Sequence, residues 1–567
     1  MEKRWSIKKH DFDAVKALSD ELDVAPLVAA LLIVRGVGKP EAARRFLAPG
    51  FDDLHDPYLL RGMDDAVSRI SEAISKREKI LVWGDYDVDG TTGTVLLRKA
   101  LRYLGALTEF HIPNRFSEGY GLNIPALRDA ISRGCRLVIT VDCGTRSFEA
   151  LAWAKENGLD VIVTDHHLSD DDRSLPDAVA VLNPKSKGCG YPDKELAGVG
   201  VALKLAQALL DERADSARMN EFLEIAAIGT VADMMDLKGE NRAIVTLGLR
   251  QLNKTKNIGL RALMEVADCT AEMNSLHIGF RIAPRINAAG RMDVGSSVVE
   301  LLETDNIAEA RRLAALLDSR NRERQRVQAS ITERAFDDVQ ANENEHFVVV
   351  GGTGWHRGVI GLAASRIVEK LNRPALVLSI ENGVAHGSAR GIRNFHLLDA
   401  LTACGDLLEQ FGGHAAAAGM KLDSSRIEEL RRRINEYTAI KFIGMDLTPI
   451  LEIDAVVSSE TLSLALVEQL SCMEPFGIGN PRPVLLTRGL SLNREPIIMK
   501  ERHLKFDLSD AQGKRFEAVW WNGVERSNGR TFVRDSGIEV AYTADVNTWM
   551  GNRRLQLVVE DLRSNEE

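Results

Sequence analysis

Short runs of β-branched and aliphatic residues, alternating with stretches of helical spacing, mark the chain from about residue 79 to residue 240. Ile80–Trp83, Leu137–Val141, Val161–Thr164 and Val179–Leu182 read as buried strands, and Thr94–Leu104 and Val201–Leu210 as helices between them. This alternation predicts an α/β domain on a largely parallel sheet over residues 56–240. Residues 1–55 look mainly helical and are expected to wrap that domain. Between 241 and 345 the strand signal disappears. There Asn306 and Glu309 have the spacing of a capping box, opening a helix whose apolar positions include Leu313, Leu317, Val327 and Ile331. A helix of about 35 residues spans roughly 50 Å, and such a rod more often connects domains than sits inside one.

A second α/β unit is expected over 346–445, from Phe347–Val350 through the helical pattern Val359–Leu371 and the strand Ala375–Ile380. The rhythm then changes. Over 446–567, Pro483–Leu486, His503–Leu508, Arg515–Trp520, Ile538–Thr543 and Arg554–Val559 read as closely spaced strands, with turn signals at Asn522-Gly523 and Gly551-Asn552. Strands at this density predict a small β-barrel. The fold class is therefore α/β, two α/β domains joined by a long helix, plus a C-terminal barrel.

Composition narrows the function. With 567 residues, 45% of them hydrophobic and 27% charged, the chain should fold throughout as a multidomain protein. Its longest apolar run, Val24–Val34, contains Pro26 and falls short of the roughly 20 residues that span a bilayer. Met1 to Val15 lacks the apolar core of a secretory signal. The six cysteines form no C-x-x-C pair, so neither a disulfide framework nor a cysteine-bound zinc is expected, and a cytoplasmic location follows. A net charge of -10 does not advertise a polyanionic partner. Binding needs only a local basic channel, however, and bound cations add positive charge that no residue count includes.

The densest chemical signal is Gly84-Asp85-Tyr86-Asp87-Val88-Asp89-Gly90, directly after the strand Ile80–Trp83. Three carboxylates converge at a strand end, where open α/β sheets bind ligands. Two unit charges about 4 Å apart repel by roughly 4 kcal/mol at an effective dielectric near 20, so clustered aspartates imply a cation or full solvation. An EF-hand is excluded, because the twelfth loop position is Leu96 and the preceding segment is strand-like. The next two strands end in Asp142-Cys143-Gly144 and Asp165-His166-His167, and Asp233 closes the apolar stretch Gly229-Thr230-Val231-Ala232. Asp with His suits Mn²⁺ or Mg²⁺, with zinc an alternative. Each residue alone has a structural reading, a solvated turn or a helix cap; the repetition at three strand ends argues for a site.

These four elements, in this order, resemble the motifs of the DHH phosphoesterase superfamily. The resemblance continues through Arg285–Arg291 (R-I-N-A-A-G-R), Gly387-Ser388-Ala389-Arg390 and Phe411-Gly412-Gly413-His414, where the chain looks like the associated DHHA1-like domain, and it covers nearly all of the chain. Within the superfamily it is similar to the 5′ to 3′ single-strand DNA exonucleases. The resemblance implies a two-metal site, with Mn²⁺ or Mg²⁺ held by Asp87, Asp89, Asp142, His166, His167 and Asp233, and with Asp85 and Asp165 as ligands or supporting groups. Two ions can stabilise both the attacking and leaving oxygens at phosphorus. That agrees with the absence of G-K-[ST], H-E-x-x-H and G-x-S-x-G.

Polarity and strand selectivity also enter through the resemblance. By that route Arg115, Ser388 and Arg390, with Arg285 or Arg291, are candidates for gripping the 5′ phosphate, a role that suits the guanidinium fork; for each arginine the competing reading is a salt bridge. His356, His386 and His414 lie in or near Gly-rich segments that could line the same cleft, although a structural hydrogen bond serves equally. The barrel resembles an OB fold, and Trp520, Trp521, Trp549, Phe506 and Tyr542 are its candidate base platforms. Adjacent Trp520 and Trp521 should face opposite sides of a strand. The implied partners are single-stranded DNA, a single-strand-binding protein and a helicase; a monomer is the default expectation for the enzyme itself. A channel between the two α/β domains, too narrow for duplex, is expected to give strand selectivity. Two rivals are a small-molecule phosphodiesterase, which leaves the barrel nothing to bind, and a noncatalytic DNA-binding scaffold, which the intact Asp and His set disfavours.

Overall fold

In a computed structural model the strands between residues 79 and 182 form one five-stranded sheet in the order Leu107–His111, Lys79–Gly84, Cys135–Val141, Asp160–Thr164, Ala180–Leu182, every pair parallel. The structure describes residues 3–169, 175–210, 216–269, 272–292, 295–340, 345–549 and 552–564. Parallel pairing requires crossovers, and Val88–Tyr103, Ile124–Ser132 and Phe148–Glu156 supply helices for them. Leu81, Val82, Trp83, Val138, Ile139 and Val163 are fully buried, which explains their near-continuous apolar runs. The strand Leu107–His111 alternates Thr108 and Glu109 with Phe110 at the sheet edge and gave no run to read.

The chain divides into two units, Met1–Ala283 with Thr448–Glu567, and Pro284–Leu447. Within the first unit the N-terminal helices Phe12–Leu22, Pro26–Val34 and Pro40–Leu47 do not wrap the parallel sheet as expected. Val28, Leu31, Leu32 and Phe46 join one core with Leu485, Phe506, Trp520 and Tyr542 of the C-terminal region. Pro26–Val34 is apolar on every side, so burial is dictated by sequence while the partner is not. Arg4–Ile7, ahead of these helices, forms a strand parallel to Ile450–Ile453. The fully buried Arg242 adds a polar tie. Its Nε donates to Phe46 O at 2.6 Å, its Nη2 to Met473 O at 3.0 Å and Glu474 O at 2.7 Å, and its guanidinium lies 3.6 Å from the Phe46 ring centre. Burial lowers its pKa to about 10, so the cation persists at neutral pH.

The C-terminal strands close a ring: Leu485–Leu492, Gly537–Trp549, Asn552–Ser564, Arg515–Trp520 and His503–Ser509, which returns to the first through Ser491–Ser509 and Leu492–Leu508. Gly551, half of one turn signal, lies outside the described residues, as does the side chain of Trp549.

In the second unit the sheet order is Gln410–Gly413, Ala417–Asp423, Val384–Arg390, Ala375–Glu381, Val348–Thr353, with only the last pair parallel. The helix Ile307–Gln340 has 34 residues. It belongs to this unit rather than standing between domains: Ile331, Ala335 and Val339 pack with Val348, Val350 and Trp355. Asn306 Oδ1 caps it, accepting from Ala308 N at 2.9 Å and Glu309 N at 3.2 Å. The reciprocal half of the capping box is missing, because the Glu309 carboxylate accepts from Arg312 instead.

Candidate metal centre

A parallel sheet brings all its strand ends to one edge. Asp85, Asp87 and Asp89 follow Lys79–Gly84, Asp142 follows Cys135–Val141, and His166 and His167 follow Asp160–Thr164. Asp233 comes to the same place from the end of the helix Ser216–Ala232. His166 Nε2 lies 3.1 Å from Asp142 Oδ1, 3.5 Å from Asp233 Oδ2 and 3.8 Å from Asp89 Oδ2. His167 Nδ1 lies 3.7 Å from Asp142 Oδ1. Three overlapping sets, Asp142 with His166 and His167, Asp89 with His166 and Asp233, and Asp85 with Asp87 and Asp142, each place one donor atom per residue within 4.8 Å of the others.

Backbone groups fix these side chains. Asp89 Oδ2 accepts from Gly198 N at 2.6 Å and Oδ1 from Val199 N at 2.8 Å, so the carboxylate sits on the N-terminus of the helix Gly198–Leu210, where unpaired N–H groups and the helix dipole favour an anion. Position 198 must be glycine: a Cβ there would lie 2.6 Å from Asp142 Cβ and 2.9 Å from Asp89 Oδ2. Asp87 caps the helix Val88–Tyr103 through Gly90 N at 3.1 Å. Asp142 is held at φ +63°, a left-handed conformation uncommon outside glycine that turns the chain away at the strand end.

Asp165 has a different task. Its Oδ2 accepts from Thr145 N at 2.9 Å, and its Oδ1 from His166 N at 2.8 Å, His167 N at 3.1 Å and His167 Nδ1 at 2.8 Å. Burial opposes ionisation of this carboxyl, but the His167 hydrogen bond and charge with the Thr145 bonds win and hold it well below the usual range. An ionised carboxylate only accepts, so His167 Nδ1 carries the proton and Nε2 presents its lone pair. The same partnership raises the His167 pKa against its burial.

The remaining carboxylates are frustrated as they stand. Burial first, then the charge of Asp87, raises Asp85; burial with Asp233 and Asp87 raises Asp89; and burial with Asp89 and Asp87 raises Asp142. Asp233 is pushed up to about 7 by burial and Asp87, and His166 down to about 4 by burial and its neighbour His167. Asp85 Oδ1, Asp142 Oδ1 and Asp233 Oδ2 are shut off from solvent without a hydrogen bond. Like charges, orphaned buried oxygens and a neutral imidazole form a donor set that divalent cations satisfy. Adjacent corners of an octahedron with bonds of 2.0–2.1 Å are about 3 Å apart, close to the shortest His–Asp spacing. The residues fit hard divalent ions.

Comparison with known proteins agrees with this geometry. Residues 79–230 match the N-terminal domain of the DHH family, 344–439 the DHHA1 domain and 453–561 the RecJ OB domain. The single-stranded-DNA-specific exonuclease RecJ of Bacillus subtilis is 41% identical over 568 residues, covering 99% of this chain and 71% of that protein. The RecJ of Salmonella typhimurium is 34% identical, covering 99% of this chain and 100% of its own length. The chain belongs to the RecJ family. Among solved RecJ structures, that of Thermus thermophilus in complex with Mn²⁺ superposes with a TM-score of 0.85 at 29% identity, over 99% of this chain and 79% of that one. A RecJ bound to manganese is 34% identical, with a TM-score of 0.60 over 68% of this chain and 98% of that one. The RecJ OB assignment fits the closed ring of C-terminal strands, and no described helix is long and apolar enough to cross a membrane.

The other predicted residues fall into separate groups. Arg115 lies near the carboxylates, its guanidinium 5.1 Å from the Tyr86 ring centre. In the second unit, Arg390 Nη1 donates to Ser388 Oγ at 3.0 Å and to Ala389 O at 2.8 Å, Arg291 Nη1 donates to Gly358 O at 2.7 Å, and His356 caps the helix Arg357–Leu371 by accepting from Gly358 N at 3.1 Å. A Cβ at Gly361 would lie 2.8 Å from Ser388 Oγ and 2.9 Å from Arg390 Nη2. These four side chains thus gather along the first two turns of one helix. Arg285 is engaged elsewhere, its Nε 3.0 Å and Nη2 2.9 Å from Asp318 Oδ1. His386 pairs across the sheet with Lys421, and His414 is exposed beyond the strand Gln410–Gly413. Of the barrel aromatics, Trp520, Phe506 and Tyr542 are core residues, whereas Trp521 is 48% exposed and stacks edge-on with His503. Trp521 opens on a groove of about 1220 Å³ whose lining includes Arg494, Lys505, Lys514, Arg515 and Arg554.

Sequence reading missed Tyr120, whose hydroxyl donates to Asp142 O at 3.1 Å and lies 3.3 Å from His167 Nδ1, and Asn183, whose Nδ2 donates to His167 O at 2.8 Å. It also missed Gly198; the A-G-V-G-V run opening a helix was the available signal.

Proposed function

We propose that this protein is a metal-dependent 5′ to 3′ exonuclease that hydrolyses single-stranded DNA, with Asp85, Asp87, Asp89, Asp142, His166, His167 and Asp233 holding two Mn²⁺ or Mg²⁺ ions. The observation that carries it is the convergence of these donors, with orphaned buried oxygens, at the C-terminal edge of the parallel sheet. Two bound ions supply Lewis acidity on both sides of an in-line displacement at phosphorus. The chain's own groups set that chemistry up: the helix N-terminus at Gly198 aims Asp89 and offsets part of the cost of its charge, and Asp165 fixes the His167 tautomer.

Arg390, Ser388, Arg291 and His356 surround a helix N-terminus, a suitable cradle for a phosphate group, and we assign the 5′ phosphate to it. Arg115 beside Tyr86 is assigned to the nucleic-acid backbone. Arg285 is the least suited of the set, since Asp318 already occupies its guanidinium. The basic groove with the exposed Trp521 suits a single strand, because cations track the backbone while an aromatic face stacks any base. A helicase and a single-strand-binding protein, acting in the cytoplasm during repair and recombination, are the partners that would supply the strand.

The test is metal-dependent cleavage. Purified protein stripped with EDTA should bind a 5′-phosphorylated single strand without cutting it, and Mn²⁺ should restore cutting in the wild type but not in Asp89→Ala. Cutting that persists in EDTA, or in Asp89→Ala, would overturn the site assignment.

A further inference from the structure

Four large apolar side chains stand exposed on three segments that touch one another, the first of which directly follows Asp233. Met234, immediately after Asp233, is 66% exposed, Phe280 is 77%, Ile478 is 46% and Leu276 is 38%. Leu237 N donates to Ile478 O at 2.8 Å, Ser275 Oγ donates to Phe476 O, and a Cβ at Gly279 would lie 3.9 Å from Val231 Cγ1. Residues 231–237, 275–280 and 476–478 therefore form one local surface.

Packing does not account for it. Phe280 is the middle residue of a π-helical turn, Ile278–Ile282, whose ends are fully buried and already fill the core side. Leu237 does the same for the segment after Asp233. Met234 in addition holds φ +60°, a conformation that costs a non-glycine residue of order 1 kcal/mol or more and that clusters at functional sites. Isolated π turns are likewise frequent at such sites. Two backbone irregularities thus lie on segments that touch, and one of them, Met234, directly follows a carboxylate whose Oδ2 is 3.5 Å from His166 Nε2.

We propose that Met234, Leu276, Phe280 and Ile478 form an apolar ledge on which unpaired bases flanking the cut phosphodiester stack. This rests on the nuclease reading above. A strand whose backbone lies on the Asp233 carboxylate must lay its neighbouring nucleotides across adjoining surface, and the ledge begins at the next residue. Its chemistry suits an exonuclease that meets every sequence: Phe offers a flat face to any base and Met a soft, adaptable one, with no hydrogen-bonding edge that would read identity. A protein segment could also cover apolar side chains, and the experiment separates the two occupants.

A 5′-phosphorylated oligothymidine carrying one 2-aminopurine at successive positions is bound to the full-length protein in EDTA, where stacking is read as fluorescence quenching without turnover. Quenching is expected at one or two positions in the wild type. Phe280→Ala should abolish it there and raise the dissociation constant roughly 5- to 150-fold, the range for loss of one base stack. Met234→Ala should weaken the same positions, Phe280→Trp should restore them, and Phe12→Ala, a highly exposed residue on an N-terminal helix, should change nothing. Unchanged quenching and affinity in Phe280→Ala and Met234→Ala, with the strand still cut once Mn²⁺ is added, would overturn the ledge and leave the nuclease reading standing. Phe280-dependent quenching of a strand that Mn²⁺ never causes to be cut would do the reverse.

Discussion

Replacing Asp165 by asparagine removes one charge and almost no volume, yet the geometry predicts a specific defect. The carboxylate accepts four N–H groups, from Thr145, His166 and the backbone and ring of His167. An amide has one accepting oxygen and an NH₂ that cannot accept, so at least one donor loses its partner. If the NH₂ faces the ring, His167 must move its proton to Nε2, the nitrogen whose lone pair the Asp165 bond otherwise leaves available to a cation. Loss of a carboxylate that orients a ligating histidine costs about 10- to 100-fold in metal affinity, or about 1.4 to 2.7 kcal/mol. The assay is a Mn²⁺ titration of strand cleavage. Asp165→Asn should need about 10- to 100-fold more Mn²⁺ for half-maximal rate and recover much of the wild-type maximum at saturation. An unchanged titration would refute the tautomer argument. A variant inactive at every Mn²⁺ concentration, though folded, would show that Asp165 acts on the reaction rather than through His167.

Gly198→Ala should lower the cleavage rate by about 10²-fold, the cost of displacing catalytic groups by about 1 Å, because the new Cβ would collide with Asp142 and Asp89; wild-type rates would contradict the placement of the Gly198–Leu210 helix. Glu224, buried with its Oε2 unpaired, has its pKa raised by burial to about 7. The native state then binds the extra proton between the ordinary value near 4.5 and about 7, so stability falls as pH rises through that window and is flat above it. Glu224→Gln should match the wild type near pH 5 and exceed it by about 3 kcal/mol at pH 8 in urea unfolding, whereas a constant difference across pH would sink the reasoning. Trp521→Ala should raise the dissociation constant for a long single strand at least about 5-fold with the salt slope unchanged, since the side chain carries no charge; Trp520→Ala should instead destabilise the fold by about 3 to 5 kcal/mol.

The clustered Asp and His residues were legible because most of them follow strands whose own composition was unambiguous. Ile80–Trp83, Leu137–Val141 and Val161–Thr164 are buried on both faces, and Asp or His follows each within a few residues. What the sequence hid was partnership. Pro26–Val34 declares itself buried but not against Leu485 and Phe506, and the helix Ile307–Gln340 shows its length but not that Ile331 and Val339 pack on the second sheet. The strands Gln410–Gly413 and Ala417–Asp423 are rich in Gly and Ala, so they have no apolar run to read. Tyr120 and Asn183 act through backbone carbonyls brought close only by the fold, and Phe280 is conspicuous only once its exposure is known.

The most direct test of the central claim is end-resolved degradation of a long 5′-phosphorylated single strand with Mn²⁺, labelled separately at its 5′ and 3′ ends, beside the Asp89→Ala variant. Early release of the 5′ label, with the 3′ label retained in shortening fragments and both labels intact in Asp89→Ala, is the predicted result. Release of the 3′ label first, equal attack at internal positions, or an intact strand in the presence of Mn²⁺ would contradict the account.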